Sequence, residues 1–229
     1  MKLIQLFLLA SVIFIISSGC VSQKNVPGVY GNETENLTYQ GKSLTPIANQ
    51  NNNAIKGTQY IDKANYRLQV DGLVKNSQNF TYNEILAMPQ TSKVVDLNCV
   101  EGWSFTGKWT GVKISDIFNK TGIVGSATTV IFYSSDGYST SLDLSYLLQN
   151  NIILAYRLND VTLPPDRGFP FQLVAESKYG YKWAKWITRI EVSSDSSYRG
   201  YWEKYGYNNT ANVGGPKYSF NLFLIKTEL

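Results

Sequence analysis

The pattern that most limits the fold is a series of short apolar runs of period two, separated by turn formers. Trp186-Ile187-Thr188-Arg189-Ile190-Glu191-Val192 alternates like a half-buried strand, and so does Tyr66-Arg67-Leu68-Gln69-Val70. Thr129-Val130-Ile131-Phe132-Tyr133 is a continuous apolar strand. Val94 to Leu97, Ile152 to Leu158 and Phe171 to Val174 read as further strands. Helical windows are few and short. Thr81, with Glu84 three residues on, forms a capping box for a helix through Ile85-Leu86 that stops before Pro89. A second helix runs over Ile114, Ile117 and Phe118, and a third, capped by Asp143 or Ser141, through Tyr146-Leu147-Leu148. Asp71-Gly72 reads as a hairpin turn before Leu73-Val74, and Asn159-Asp160 as a turn into Val161-Thr162-Leu163. Gly107, Trp109 and Gly111 read as an irregular loop, and 164–170 as a proline-bounded one. Many strands with few short helices predict an α+β class, as a single mixed, strand-rich domain.

The chain has 229 residues, 43% hydrophobic and 17% charged, which suits one compact domain with extensions. A net charge of +4 without a dense Lys/Arg run gives no basis for a nucleic-acid partner. Histidine is absent. That excludes Ser-His-Asp and Cys-His nucleophile systems, His-ligated zinc and His-ligated haem on this chain. Chemistry must come from a thiol, carboxylates, Lys, Arg, Tyr or an imported cofactor.

Residues 1–20 read as an address. Lys2 precedes an apolar run from Leu3 to Ile16, then Ser17-Ser18-Gly19 and Cys20. The run is short for a membrane span and suits a signal peptide, and small residues before a cysteine form a lipobox-like end with Cys20 as the lipidation site. Ser17 departs from that pattern, and an uncleaved anchor is the alternative. Residues 21–58, polar and Asn-rich, read as a tether; 59–207 is the domain; 208–229 is a C-terminal tail that packs over it. The expected location is extracytoplasmic, anchored to the cell membrane by lipid. With Cys20 lipidated, Cys99 has no partner for an internal disulfide.

Three segments carry candidate chemistry. Cys99 to Trp103 sits at a strand end; a thiolate suits a soft or high-valent metal, and Glu101 beside it can hold or give a proton. The alternatives are an inert core thiol and a solvated carboxylate. Lys178 to Trp186 interleaves lysines with aromatics, where Gly180 permits close backbone approach and Lys182 supplies charge for an anion. A basic strand face with aromatic core residues opposite is equally consistent. Asp166-Arg167-Gly168 offers one more cation, or simply a solvated loop arginine.

The ordered strings CVEGW, WTGV, SSDGYSTSL, LPPDRGFPFQLV, KYGYKWAKWITRIEV and YRGYWEKYGY run from Cys99 to Tyr207. Together they make 59–207 resemble the molybdopterin-binding domain of the sulfite oxidase family. The resemblance is strongest to a small exported branch that includes the catalytic subunit of protein-methionine-sulfoxide reductase. It implies a molybdenum–molybdopterin (Mo-pyranopterin) cofactor with Cys99 as the metal ligand. It also implies Glu101 as the acidic residue near the metal, and Ser134, Gly180, Tyr181 and Lys182 as cofactor contacts. Where relatives of that branch carry Asn or His before the loop glycine this chain has Arg167, and where many carry a cofactor-contacting Arg it has Gln172. One cation is therefore expected to have moved to Arg167. The branch's upstream Asn and paired-Tyr segment has no counterpart read here, nor has the Tyr/Arg substrate set of sulfite oxidases. The expected function is a membrane-tethered oxidoreductase with two-electron oxygen-atom transfer, acting on sulfoxides or related oxo-substrates. No haem domain follows, so a separate redox partner is expected. The competing reading is a non-catalytic surface lipoprotein that kept the fold and binds a cofactor or ligand.

Overall fold

The computed structural model describes residues 29–219; Cys20 and the lipobox-like segment lie outside them. Two small hairpins come first, β1 (Val29–Tyr30) with β2 (Glu33–Thr34) and β3 (Thr38–Tyr39) with β4 (Lys42–Ser43). This part of the expected tether is folded onto the domain. Leu44 and Ile47 are buried, Asn36 N donates to Asn159 O at 2.8 Å and Thr45 N to Thr106 O at 2.9 Å. Glu35 is buried as well, accepting from Ile47 N at 3.0 Å and Asn159 Nδ2 at 3.3 Å. Two apolar anchors without periodicity leave no amphipathic signal, so the sequence pattern does not reveal this docking.

The domain then alternates between two sheets. β5 (Arg67–Gly72), β6 (Gln78–Thr81), helix α1 (Tyr82–Leu86), β7 (Gln90–Asn98), β8 (Ser104–Lys113) and helix α2 (Ile114–Thr121) lead into β9 (Thr129–Ser134) and β10 (Ser139–Asp143). Helix α3 (Leu144–Gln149), β11 (Ile153–Leu158), β12 (Val161–Thr162), β13 (Gln172–Val174) and β14 (Ile187–Ser193) complete it. One sheet has the order β10-β9-β14-β5-β6, with β14 parallel to β5 and the other pairs antiparallel. The other runs β12-β11-β8-β7, with β13 also on β11. Leu68, Val70, Phe132 and Ile190 of the first sheet share one buried cluster with Val95, Trp109, Leu154 and Leu173 of the second. The α+β, strand-rich expectation holds. The capping box does too: Thr81 Oγ1 accepts from Glu84 N at 3.2 Å, and Glu84 Oε2 from Thr81 N at 2.7 Å.

Two glycine readings do not hold. Asp71-Gly72 is the end of β5 rather than a hairpin turn, since β5 pairs β6 only from Gln78 onward. Gly72, at φ +84°, is there because a Cβ would lie 2.2 Å from Val192 O of the parallel neighbour β14. The stretch around Gly107 and Gly111 is the middle of β8, and a Cβ on Gly111 would meet Leu154 O of β11 at 2.1 Å. Both glycines permit close strand approach, which a single sequence cannot distinguish from a loop signal. Among the described residues no helix is long and apolar enough to cross a membrane.

Candidate active site

A cavity of about 560 Å³ opens where the end of β7 meets the segment 179–186, the loop after β9 and residues 51–55. β7 delivers Cys99. Its N–H donates to Trp103 O at 2.9 Å and its carbonyl accepts from Gly102 N at 3.1 Å, so 99–103 closes into a tight turn. The thiol is half-buried and lines the cavity. Burial pushes it up; the backbone N–H of Glu101 opposes that, and the Glu101 charge adds to it. Glu101 itself is exposed at the lip. It accepts from Trp103 Nε1 at 2.9 Å and Asn53 Nδ2 at 3.1 Å, and these bonds hold its carboxyl below the usual range. It is therefore an ionised acceptor at neutral pH.

The expected contacts divide. Ser134 lines the cavity with its buried Oγ lacking any hydrogen-bond partner, and so does Gln172 with its Oε1. Tyr181 lines it, with its hydroxyl donating to Asn208 O at 2.7 Å. Gly180 lines the cavity as well, packed against β7: a Cβ there would meet Leu97 Cδ2 at 3.2 Å and Asn98 O at 3.6 Å. Its close approach serves the strand that carries Cys99. Arg167 lines the cavity but is largely committed. Nη1 donates to Asn51 O at 2.9 Å and Nη2 to Ile47 O at 3.3 Å and to Gln50 O. Its Nε lies 3.3 Å from Asp166 Oδ2, yet the N–H is not aimed there and is left without a bond.

Lys182 departs from expectation. It is fully buried outside the cavity wall, donating to the Glu203 carboxylate, to Ser141 O at 2.9 Å and to Asn209 Oδ1 at 3.1 Å. Residues 180–182 form a 3₁₀ turn, which spaces successive side chains about 120° apart. Tyr181 takes the cavity side and Lys182 is turned toward β10. The lysine that faces the cavity is Lys185, which sequence reasoning missed. Its Nζ donates to Asn52 Oδ1, to Asn53 O at 2.8 Å and to Asp166 O at 3.3 Å. Burial, then the nearby Arg167, lower it to about 7. Little local separates the two lysines: Lys182 lies between Tyr181 and Trp183, and Lys185 between Ala184 and Trp186.

Tyr207 was also missed as a site residue. It lines the cavity with Tyr201 and Trp202. Burial and a hydrogen bond with Tyr218 raise its hydroxyl, and its ring packs with Val100 against the Tyr179 and Tyr181 cluster, beside the thiol turn.

Among the described residues no group of three His, Cys, Asp or Glu side chains converges to hold a metal. A lone thiolate beside orphaned polar atoms and a second, cationic end fits a metal carried by an organic anionic cofactor better than a protein-only metal site. Thiol, cradle and two-sheet fold together define a molybdopterin-binding oxidoreductase. The chain belongs to the oxidoreductase molybdopterin binding domain family, matched over residues 55–202. The family's cofactor is molybdenum–molybdopterin. Over 148 residues the chain is 39% identical to a protein of Azospira oryzae provisionally named protein-methionine-sulfoxide reductase subunit YedZ1, covering 65% of this chain and 56% of that one. Over 150 residues it is 35% identical to the uncharacterized oxidoreductase YuiH of Bacillus subtilis, covering 65% and 75%. The chain thus spans little more than half of the first relative. The fold matches the sulfane dehydrogenase SoxCD of Paracoccus pantotrophus with a TM-score of 0.60 at 19% identity, covering 66% of this chain and 42% of that one.

Proposed function

We propose that this molybdopterin oxidoreductase is an extracytoplasmic, lipid-anchored enzyme that reduces neutral oxo-substrates, sulfoxides first among them, with electrons from a separate redox partner. The observation that carries the substrate reading is the asymmetry of the cavity. Its lining cations, Arg167 and Lys185, are both held by residues 47–53, while the thiol end is walled by Val100, Tyr181, Trp202 and Tyr207 beside the Glu101 carboxylate. Lys217, whose charge reaches the thiol, is tied to Val100 O at 2.6 Å. A small oxyanion entering there finds an anion and aromatic faces; a neutral sulfoxide with apolar substituents finds contact area and sulfur–aromatic packing.

When bound, the cofactor supplies two-electron oxygen-atom transfer. The protein's own parts are separate. The Cys99 thiolate holds the metal. Ser134 Oγ, Gln172 Oε1, Arg167 Nε and Lys185 Nζ hold the organic part. Tyr207, whose hydroxyl is raised by burial and by its hydrogen bond with Tyr218, adds an aromatic wall beside Tyr181 and Trp202. Net reduction of a sulfoxide takes two electrons and two protons and releases a thioether and water. The location rests on the apolar run Leu3 to Ile16 and the Cys20 box, and the tether on residues 21–28, which lie outside the described part.

The test is a panel assay with reduced viologen as electron donor and cofactor-loaded enzyme. Viologen oxidation is expected with dialkyl sulfoxides and methionine sulfoxide and not with nitrate, and no sulfite oxidation is expected with ferricyanide as acceptor. Turnover of sulfite above that of every sulfoxide overturns the substrate reading. Cys20→Ser is expected to move the protein from the membrane fraction to the soluble one; unchanged membrane association removes the lipid anchor.

A further inference from the structure

The segment 50–55 crosses the cavity as a strap held by polar contacts alone. Residues 51–54 are exposed and carry no regular secondary structure, so they contribute little apolar burial. Their anchors are the cavity groups Arg167, Lys185 and Glu101, with Asp166 O beside them. Arg167 Nη1 holds Asn51 O at 2.9 Å, Lys185 Nζ holds Asn52 Oδ1 and, at 2.8 Å, Asn53 O. Asn52 Nδ2 donates to Asp166 O at 2.6 Å, and Asn53 Nδ2 reaches the Glu101 carboxylate at 3.1 Å. One residue, Asn53, thus ties the thiol end to the cationic end. The upstream root is firm, since Ile47 is 3% exposed in the main core, and the cavity wall at Trp183 and Ala184 belongs to that core too. A polar strap over a packed wall opens at a lower free energy than the wall itself.

Strap contacts and ligand contacts are compatible. The Arg167 Nε–H is unused, and the Lys185 bond to Asp166 O is long at 3.3 Å. An anionic group of the cofactor can take both donors while the strap remains bonded.

We propose that residues 50–55 are the latch of the cofactor cavity: the cofactor leaves, and enters, through release of this strap from Lys185, Arg167 and Glu101, with the two sheets staying folded. The inference concerns retention and holds whatever the substrate.

The test compares loaded wild-type enzyme with the Asn52→Ala/Asn53→Ala variant, both from a cofactor-making host. Molybdenum remaining on the protein is measured over time after desalting into buffer with a metal scavenger. Amide hydrogen exchange is followed in parallel at 50–55 and in β11. Removing these side-chain bonds is expected to speed molybdenum loss about tenfold or more and to raise exchange at 50–55, leaving β11 unchanged. Loss at the wild-type rate, or loss that follows β11 exchange in both proteins, overturns the latch. Should the variant emerge without molybdenum, wild-type enzyme decides alone. Exchange at 50–55 must then be slower in the loaded than in the cofactor-free protein, and molybdenum loss no faster than the opening it reports. Loss faster than that opening overturns the proposal.

Discussion

At one end of the cavity Cys99, Glu101 and Trp103 come from a single turn closed by two backbone hydrogen bonds. At the other end Lys185 meets Asn53 across 132 positions of chain, and Arg167 meets Asn51 across 116. The thiol end is a local structure on the end of a strand; the cationic end exists only once three segments, 47–53, 166–167 and that of Lys185, have docked. A local site has no substitute for its key atom. An assembled site shares its load, so single losses there are partial, and its stability depends on contacts far from any ligand.

That contrast is open to test, beginning with the largest effect. Cys99→Ala is expected to take molybdenum from about one per chain to background, with a melting temperature close to that of the cofactor-free wild type. Retention of the metal would break the comparison at its first term, and metal analysis beside a thermal melt decides it. Next is the buried pair behind the cavity. Lys182→Met leaves Glu203 charged and unpaired and is expected to cost about 3–5 kcal/mol in denaturant unfolding, whereas Lys182→Met with Glu203→Leu should recover much of that. A single variant as stable as wild type would contradict the packing described here.

Smaller effects belong to the cationic end. Lys185 is lowered to about 7 in the fold, below its unfolded value. Between those values the unfolded chain binds more protons, so in cofactor-free protein this group adds stability as pH rises above about 7. Lys185→Met is expected to flatten that rise between about pH 7 and 8.5, read as melting temperature against pH relative to wild type. An unchanged slope would show that Lys185 is solvated. The smallest effect is Arg167→Ala, expected to lower molybdenum content partially, because Lys185, Ser134 and Gln172 remain. Full occupancy would remove Arg167 as the relocated cation, and complete loss would make the cationic end as indispensable as the thiol end.

The same division governs what could be read in advance. The α1 capping box, the alternation of β14 and the strand that presents Cys99 are encoded in neighbours a few residues apart, and each was legible. The glycines at 72 and 111 were visible but misassigned, since their cause is a backbone oxygen on another strand. Residues 29–58 looked like a tether because two apolar anchors, Leu44 and Ile47, make no periodic signal. Lys182 lies two residues after Gly180, in the stretch that reads as an anion cradle, yet its partner Glu203 is supplied by the C-terminal segment.

By itself the sequence determined the class of the fold, the strand that ends in Cys99, the absence of histidine chemistry and the ordered motifs of the family. Those depend on residue type and short-range spacing, which set backbone preference directly. Only the tertiary structure decided which lysine faces the cavity, which carbonyls Arg167 holds and that the polar segment 51–55 lines the site. The physical reason lies in the energetics: a buried ammonium must find its acceptors wherever the chain brings them. Those acceptors, on Glu203, Asn52 and Asn53, are set by the docking of segments and leave no local trace.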